Sequence, residues 1–205
     1  MSGQKSHFIA WREGTTHVWV SGNGLPPSRA QRIGLDEIYH TRLRYALWHW
    51  RDRFGLDRVD IEEVGLSVLI ADTVQLGGQS GVLAATSDDP LDWLLLYSTA
   101  DFGFASNLHH TLQPLRQFAG ENVIVASCLS LPDAFAQGGA VAHRVGGVID
   151  DTHLIYDRVA FPLFLNGKPR YLVTVSGYLQ AVPVTATANR ALISAMSGAA
   201  VRQYA

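Results

Sequence analysis

The sequence has few of the features that assign a protein to an oxidising compartment or to a membrane. It contains a single cysteine, Cys128, among 205 residues, so no disulfide can form within the chain, and this is typical of proteins from reducing compartments. No stretch approaches the roughly 18 consecutive apolar residues of a membrane span. The first residues also lack an apolar segment as long as that of a signal peptide. We therefore expect a cytoplasmic protein that does not enter a membrane.

Charge is also scarce, and neither sign dominates. Charged residues make up 17% of the chain and hydrophobic residues 47%, with a formal net charge of −2. A dedicated nucleic-acid-binding protein would usually be basic overall, so we expect no nucleic-acid partner. The hydrophobic fraction supplies a sizeable core, which argues against a disordered chain.

The most strongly patterned stretch surrounds Asn166 and Gly167. Both residues tolerate the positive φ angles that tight turns between antiparallel strands require. They are flanked by two runs rich in β-branched and aromatic residues. The pattern predicts a hairpin in which Leu154–Phe164 and Arg170–Leu179 are adjacent and antiparallel. Pro162 cannot donate a hydrogen bond to a neighbouring strand, so we expect a sheet edge or a bulge at this residue.

The clearest helical pattern covers Leu35–Phe54, followed by Gly55 as a C-terminal stop. Apolar residues recur on one stripe of this predicted helix; they are Tyr39, Leu43, Ala46, Leu47, Trp50 and Phe54. Four arginines lie mostly away from the stripe, and we interpret them as a solvated face rather than as phosphate ligands. Trp48 also lies to one side of the stripe.

The remaining segments give shorter patterns. Val82–Thr86 and Trp93–Thr99 are typical of two strands joined by a turn. Val123–Ala126 fits either a short strand or a buried part of a helix. Ala134–Val145 is helix-like, although two glycines weaken the pattern, and Asn189–Ala205 predicts a terminal helix.

Several of these segments together resemble small bacterial PAS sensor domains of the single-domain type. The resemblance lies in Tyr45–Arg53, Trp93–Tyr97, Pro132–Val145 and Tyr156–Leu163 with the hairpin turn that follows, and it covers residues 35–180. It implies an α+β fold in which helices flank an antiparallel β-sheet of about five strands, plus an N-terminal helical extension.

The implied domain organisation has four parts. Residues 1–34 form the N-terminal extension, and residues 35–58 form an N-terminal helix that serves as a cap or dimerisation element. Residues 59–182 form the PAS-like domain, and residues 183–205 form a C-terminal helix.

By resemblance, the function is small-molecule sensing or protein interaction in bacterial signalling, without an output domain of its own. The expected ligand is a small apolar molecule, and a signalling protein would be the partner. The candidate ligand-binding residues are Phe118, Phe135, His143, Tyr156 and Tyr178. For each of them, simple packing in a filled core is the competing interpretation.

The cofactor is left open. Family members that bind haem use a histidine before the hairpin, where His143 lies, so a haem protein using His143 or a small-cavity enzyme is the alternative function. No spacing among the serines, Cys128 and the histidines marks a nucleophile or a metal site, and no catalytic residue is assigned.

Assembly is predicted from the helical stripe. One sheet face can cover only one stripe of a helix, so Trp48 requires another partner. We expect a homodimer in which this helix contacts its partner through Trp48 or Leu47. In the competing interpretation, residues 1–34 fold over the same surface with Trp11 and Trp19, and the protein is a monomer.

Overall fold

A computed structural model of the protein describes residues 8–14, 16–22, 24–61, 71, 75–76, 79–99, 110–118, 120–149 and 152–183. The strands are β1 (Phe8–Glu13), β2 (His17–Gly22), β3 (Leu25–Ile33), β4 (Val59–Asp60), β5 (Gln79–Ala84), β6 (Leu94–Ser98), β7 (His110–Pro114), β8 (Val141–Ile149), β9 (Thr152–Leu165) and β10 (Lys168–Pro183). The α-helices of these residues are α1 (Thr41–Phe54), α2 (Asn122–Leu129) and α3 (Pro132–Gln137), with short 3₁₀ turns at Leu35–Glu37, Pro90–Asp92 and Leu115–Phe118.

All ten strands belong to one sheet. Nine of them follow the order β1-β2-β3-β8-β9-β10-β5-β6-β7 with antiparallel neighbours, and β4 pairs with β9 in parallel. The long hairpin β9–β10 lies near the centre, and its turn has Asn166 at φ 50° and Gly167 at φ 72°. The predicted hairpin is therefore confirmed, and the expected pairing of β5 with β6 is also observed.

Pro162 lies inside β9, which pairs with β10 on one side and with β8 and β4 on the other. Pro162 interrupts no pairing with β8 or β4. β8 pairs with β9 only as far as Ala160, and β4 pairs with β9 from Leu163 onward. Pro162 falls in the gap between these two partners. A residue without a backbone N–H is tolerated at this position, because neither β8 nor β4 pairs with it.

The predicted five-stranded PAS-like α+β fold with an N-terminal helical extension is wrong. The structure is mostly β, with a ten-stranded sheet, and residues 8–33 contribute three strands at one end of it. β1 and β2 form six pairs across a tight turn, and Trp11 stacks on Trp19 with ring centroids 6.1 Å apart. Each of these apolar segments is too short to show a period by itself, so the sequence pattern did not identify them as strands.

The helices also differ in their bounds from the prediction. α1 begins at Thr41 rather than Leu35, with the Nδ1 atom of His40 accepting a hydrogen bond from the N–H of Arg42 at 3.3 Å. α3 ends at Gly138, which has a left-handed φ of 73°, and the chain then enters β8, so the helix expected over Ala134–Val145 is wrong in its second half. The predicted terminal helix, 189–205, lies outside the described residues.

Helices cover both faces of the sheet. On one face, α1 buries Leu43, Ala46 and Trp50, and the Trp50 ring stacks on Phe161 with centroids 4.5 Å apart. On the other face, α2 lies against β2, β3 and β8, and its residues from Asn122 to Cys128 are all buried. None of the described helices is long and apolar enough to cross a lipid bilayer.

Candidate functional site

A row of polar side chains crosses the sheet beneath α2 and α3. The row follows one register position through five adjacent strands and consists of Gln79, Ser176, Arg158, His143 and Arg32. Residues directly opposite each other in antiparallel strands lie on the same face of the sheet, so these side chains are neighbours. The three central members, Ser176, Arg158 and His143, are buried.

Arg158 is at the centre of this row, and its relative exposure is only 3%. Its Nη1 donates to the carbonyl oxygen of Ser127 at 3.0 Å and to the hydroxyl of the same residue at 2.7 Å. Its Nη2 donates to the Ser130 hydroxyl at 2.7 Å and lies 3.4 Å from Nδ1 of His143. The Nε atom is buried and has no hydrogen-bond partner among the described residues. Burial lowers the pKa of Arg158, but an arginine stays protonated in proteins.

His143 is completely buried between Arg158 and Asp133, and its Nε2 lies 3.0 Å from Oδ2 of Asp133. A guanidinium group can only donate, so Nδ1 accepts from Arg158 and the ring proton lies on Nε2, which donates to Asp133. Burial lowers the pKa of His143 to about 4, although the hydrogen bond with Asp133 opposes this shift. At neutral pH the ring is therefore uncharged.

Asp133 connects this buried histidine to the protein surface. Its Oδ1 accepts a hydrogen bond from Nη1 of Arg12 at 2.8 Å, and Nη2 of Arg12 donates to the carbonyl oxygen of Leu129 at 2.7 Å. Burial raises the pKa of Asp133, but hydrogen bonds from His143 and Arg12 outweigh burial and hold the pKa below its usual value. Asp133 is therefore ionised, and its negative charge is matched by Arg12.

A cavity lies beside Arg158, between α2 and the sheet. It has a volume of about 50 Å³ and is partly open to solvent. Its apolar lining consists of Leu83, Leu95, Leu115, Val123, Ile124, Cys128, Leu131 and Ile149. Its polar lining consists of Gln79, Ser127, Tyr156, Arg158, Thr174 and Ser176. The cavity thus has mostly hydrocarbon walls, with polar groups gathered at the strands β5, β9 and β10 and at one position of α2.

The structure brings three of the sequence-predicted binding residues to this region. Tyr156 lines the cavity, and burial raises the pKa of its hydroxyl, an effect opposed by nearby Arg158 and by a hydrogen bond with Ser127. Tyr178 contacts Tyr156 edge to face, with centroids 6.1 Å apart, and is itself 41% exposed. His143 lies behind Arg158 and does not line the cavity.

The two predicted phenylalanines lie elsewhere in the core. Phe135 packs edge-on between Trp93, at 5.5 Å, and Phe164, at 5.7 Å. Phe118 is partly buried and, like Phe135, packs against the hydrophobic core between α2 and the sheet. Neither of them lines the cavity.

The sequence interpretation missed Arg158, which is the central polar residue of the site. A signal for it was nevertheless present. Arg158 stands two residues from Tyr156 and two from Ala160, on a strand whose following residues, from Val159 to Leu165, are all apolar. Arginine is almost never fully buried unless it is paired, so a charge at such a position marks a polar site. Asp133, Ser127 and Ser130 come from α2, α3 and the turn between them, and only the fold brings them to Arg158.

Several chemistries do not fit these residues. Burial raises the pKa of the Cys128 thiol to about 12, so it is a poor nucleophile. Both ring nitrogens of His143 are engaged, so a haem iron would have to displace Arg158 or Asp133. Within the described parts of the chain, no three His, Cys, Asp or Glu side chains come together as a metal site.

Comparison with known proteins identifies no relative. No family model, no curated protein and no solved structure matches the chain.

Proposed function

We propose that the protein is a small-molecule-sensing module, and that the cavity between α2 and the sheet holds the ligand. The cavity itself is the observation that supports this proposal. Ligand sites are typically concave and mostly apolar, with a small number of polar groups that orient the ligand. The space beside Arg158 has this composition, with eight apolar and six polar lining residues.

The protonation of Cys128 and the hydrogen bonds of His143 favour ligand binding over catalysis. Cys128 is held as a thiol, and the ring nitrogens of His143 are occupied by a neighbour on each side. A catalytic base needs a lone pair within reach of the substrate, and Nδ1 of His143 faces Arg158 rather than the cavity lining. The resemblance to PAS sensor domains stays a prediction, and the proposed function does not depend on it.

A sensor also needs a route from the ligand to a surface. The hydrogen-bonded series Arg158, His143, Asp133 and Arg12 extends from the cavity to the exposed strand β1. A ligand that rearranges Arg158 would change the contacts of Asp133 with Arg12, and a signalling partner could then detect the altered surface. We propose that the protein is located in the cytoplasm, where Cys128 would remain reduced.

The proposal is tested by filling the cavity. Ile149 is partly buried and lines the cavity, so Ile149→Trp places a large ring where the ligand would lie. Ile9→Trp is the matched control, because Ile9 is 70% exposed on β1. Ligand-observed NMR with a set of small apolar fragments is the measurement.

We expect the wild type and Ile9→Trp to bind the same fragments, and Ile149→Trp to have lost them while retaining the wild-type circular dichroism spectrum. Wild-type protein that binds no fragment would contradict the proposal. Fragment binding that is unchanged in Ile149→Trp would contradict it as well.

A further inference from the structure

The charges around the cavity do not balance. Arg158, Arg12 and Arg32 are positive, Asp133 is negative, and His143 is neutral because it accepts from Arg158. Arg32 donates to the neutral amide of Gln137 and does not line the cavity. Asp133 lies on the far side of His143 and receives a hydrogen bond from Arg12 at 2.8 Å. One positive charge, that of Arg158, therefore has no carboxylate in contact with it among the described residues.

The hydrogen-bonding capacity of Arg158 is also incomplete. Its two terminal nitrogens donate to neutral acceptors, the Ser127 carbonyl and the hydroxyls of Ser127 and Ser130. The buried Nε–H has no acceptor among the described residues. A buried charge normally has a paired partner of opposite sign, because desolvation disfavours an isolated ion. Both observations concern a residue that lines the cavity.

The remaining lining of the cavity defines the other end of the ligand. Away from Arg158, the walls are hydrocarbon, including Leu83, Leu95 and Leu115. Near Arg158, Ser176 lies directly opposite it on β10, and Gln79 lies opposite Ser176 on β5. These side chains offer hydroxyl and amide donors to a second ligand oxygen. The cavity thus combines one cation and several neutral donors with an apolar chamber.

We propose, on the premise that the cavity is a ligand site, that its ligand is a small apolar carboxylic acid, bound as a carboxylate that accepts a hydrogen bond from the guanidinium group of Arg158. A single guanidinium matches a single negative charge. A phosphate group would need further cations, but Arg12 is already bound to Asp133 and Arg32 donates to Gln137. A carboxylate also fits the planar donor geometry of arginine.

The test compares propanoate with propanamide, two small probes of nearly equal shape that differ in charge. Affinities are measured at pH 7 by calorimetry for the wild type and for Arg158→Met, Arg158→Lys and Arg170→Met. Arg170 is exposed on the same hairpin, so Arg170→Met removes an equal charge away from the cavity. Ile149→Trp reports whether binding occurs in the cavity.

We expect the wild type and Arg170→Met to bind propanoate at least tenfold more tightly than propanamide. Arg158→Met should lose this preference, and Arg158→Lys should keep part of it, because lysine retains the charge without the planar fork. If Arg158→Met does not fold, the wild type and Arg158→Lys decide the outcome.

The experiment distinguishes failure of the carboxylate proposal from failure of the proposed function. If both probes bind the wild type equally and Ile149→Trp abolishes both, the cavity is a ligand site and the carboxylate proposal is overturned. If neither probe binds, nor any homologue with two to five carbons, the carboxylate proposal and the proposed function both fail. Tenfold discrimination that survives in Arg158→Met would overturn the role of Arg158.

Discussion

Asp157 and Arg158 are adjacent in β9, both are almost completely buried, and they lie on opposite faces of the sheet. Asp157 accepts two hydrogen bonds from Arg144, at 2.8 and 3.0 Å, and is fully matched in charge. Arg158 has neutral partners and an Nε without an acceptor among the described residues. The same strand thus carries one balanced charge and one unbalanced charge, and the unbalanced one lines the cavity.

Removal of Arg144, the ion-pair partner of Asp157, should strongly lower the free energy of unfolding. Arg144→Met leaves the buried carboxylate of Asp157 without a partner, and breaking a buried pair in this way costs about 3–5 kcal/mol. Because the Arg144 side chain is 33% exposed, we expect a loss near the lower end of this range in urea unfolding. The exposed control Arg170→Met should change the free energy of unfolding by less than about 0.5 kcal/mol. A loss below about 1 kcal/mol for Arg144→Met would mean that the pair is solvated.

Acid should destabilise the protein through His143. Its pKa is lowered from 6.5 to about 4 in the folded state, so the unfolded chain binds more protons between these values and stability falls as the pH falls from about 6.5 to 4. The full shift corresponds to roughly 3 kcal/mol. Desolvation is the main cause; Arg158 and Arg32 also disfavour the charged ring, whereas Asp133 favours it.

His143→Asn keeps an acceptor for Arg158 and removes the titrating ring. Its free energy of unfolding, measured by urea titration at several pH values, should fall by less than that of the wild type between pH 6.5 and 4. Parallel pH profiles for the two proteins would show that His143 is not held neutral by the fold.

Gly177 is predicted to be required for the start of α1. A Cβ atom at this position would lie 2.8 Å from the ring of His40, whose Nδ1 caps the helix. Gly177→Ala should therefore displace His40 and destabilise the protein by about 1–3 kcal/mol. Gly146→Ala is the matched control on the other long strand pair, where an added Cβ meets no atom closer than 3.9 Å. Equal melting temperatures of Gly177→Ala and Gly146→Ala would contradict the requirement for glycine at position 177.

The predicted homodimer is tested on α1. Trp48 is 54% exposed and Tyr45 is 49% exposed, and their rings are 6.0 Å apart. Residues 8–33, which could have covered this surface, form β1, β2 and β3 of the sheet instead. We expect light scattering at micromolar concentration to give the mass of two chains for the wild type and of one chain for Trp48→Glu. A wild-type mass of a single chain would contradict the dimer.

The hairpin was predictable from sequence, whereas its register was not. Asn166 and Gly167 identify the turn, and counting outward from a regular turn places Val175 opposite Arg158. The structure has an irregularity between Pro169 and Tyr171, which shifts the pairing by one residue and brings Ser176 opposite Arg158. A shift of one residue exchanges the two faces of a strand. The polar row across the sheet therefore could not be derived from the sequence pattern.

The buried stripe of α1 was predictable for a different reason. Leu43, Ala46 and Trp50 repeat with a helical period over fourteen residues, long enough for the pattern to be clear. Tyr39, which was predicted to lie on the same stripe, precedes α1 and is 79% exposed. The strands β1 and β2 have six residues each and depend on pairing with each other rather than on their own pattern. Their contribution to the sheet could be found only in the structure.

A crystal structure of the wild-type protein grown with propanoate shows whether the cavity is a carboxylate site. We expect electron density for propanoate in the cavity, with a carboxylate oxygen about 3 Å from a guanidinium nitrogen of Arg158 and the alkyl end toward Leu83, Leu95 and Leu115. A cavity closed by side chains, or propanoate bound with its alkyl end toward Arg158, would contradict the proposal.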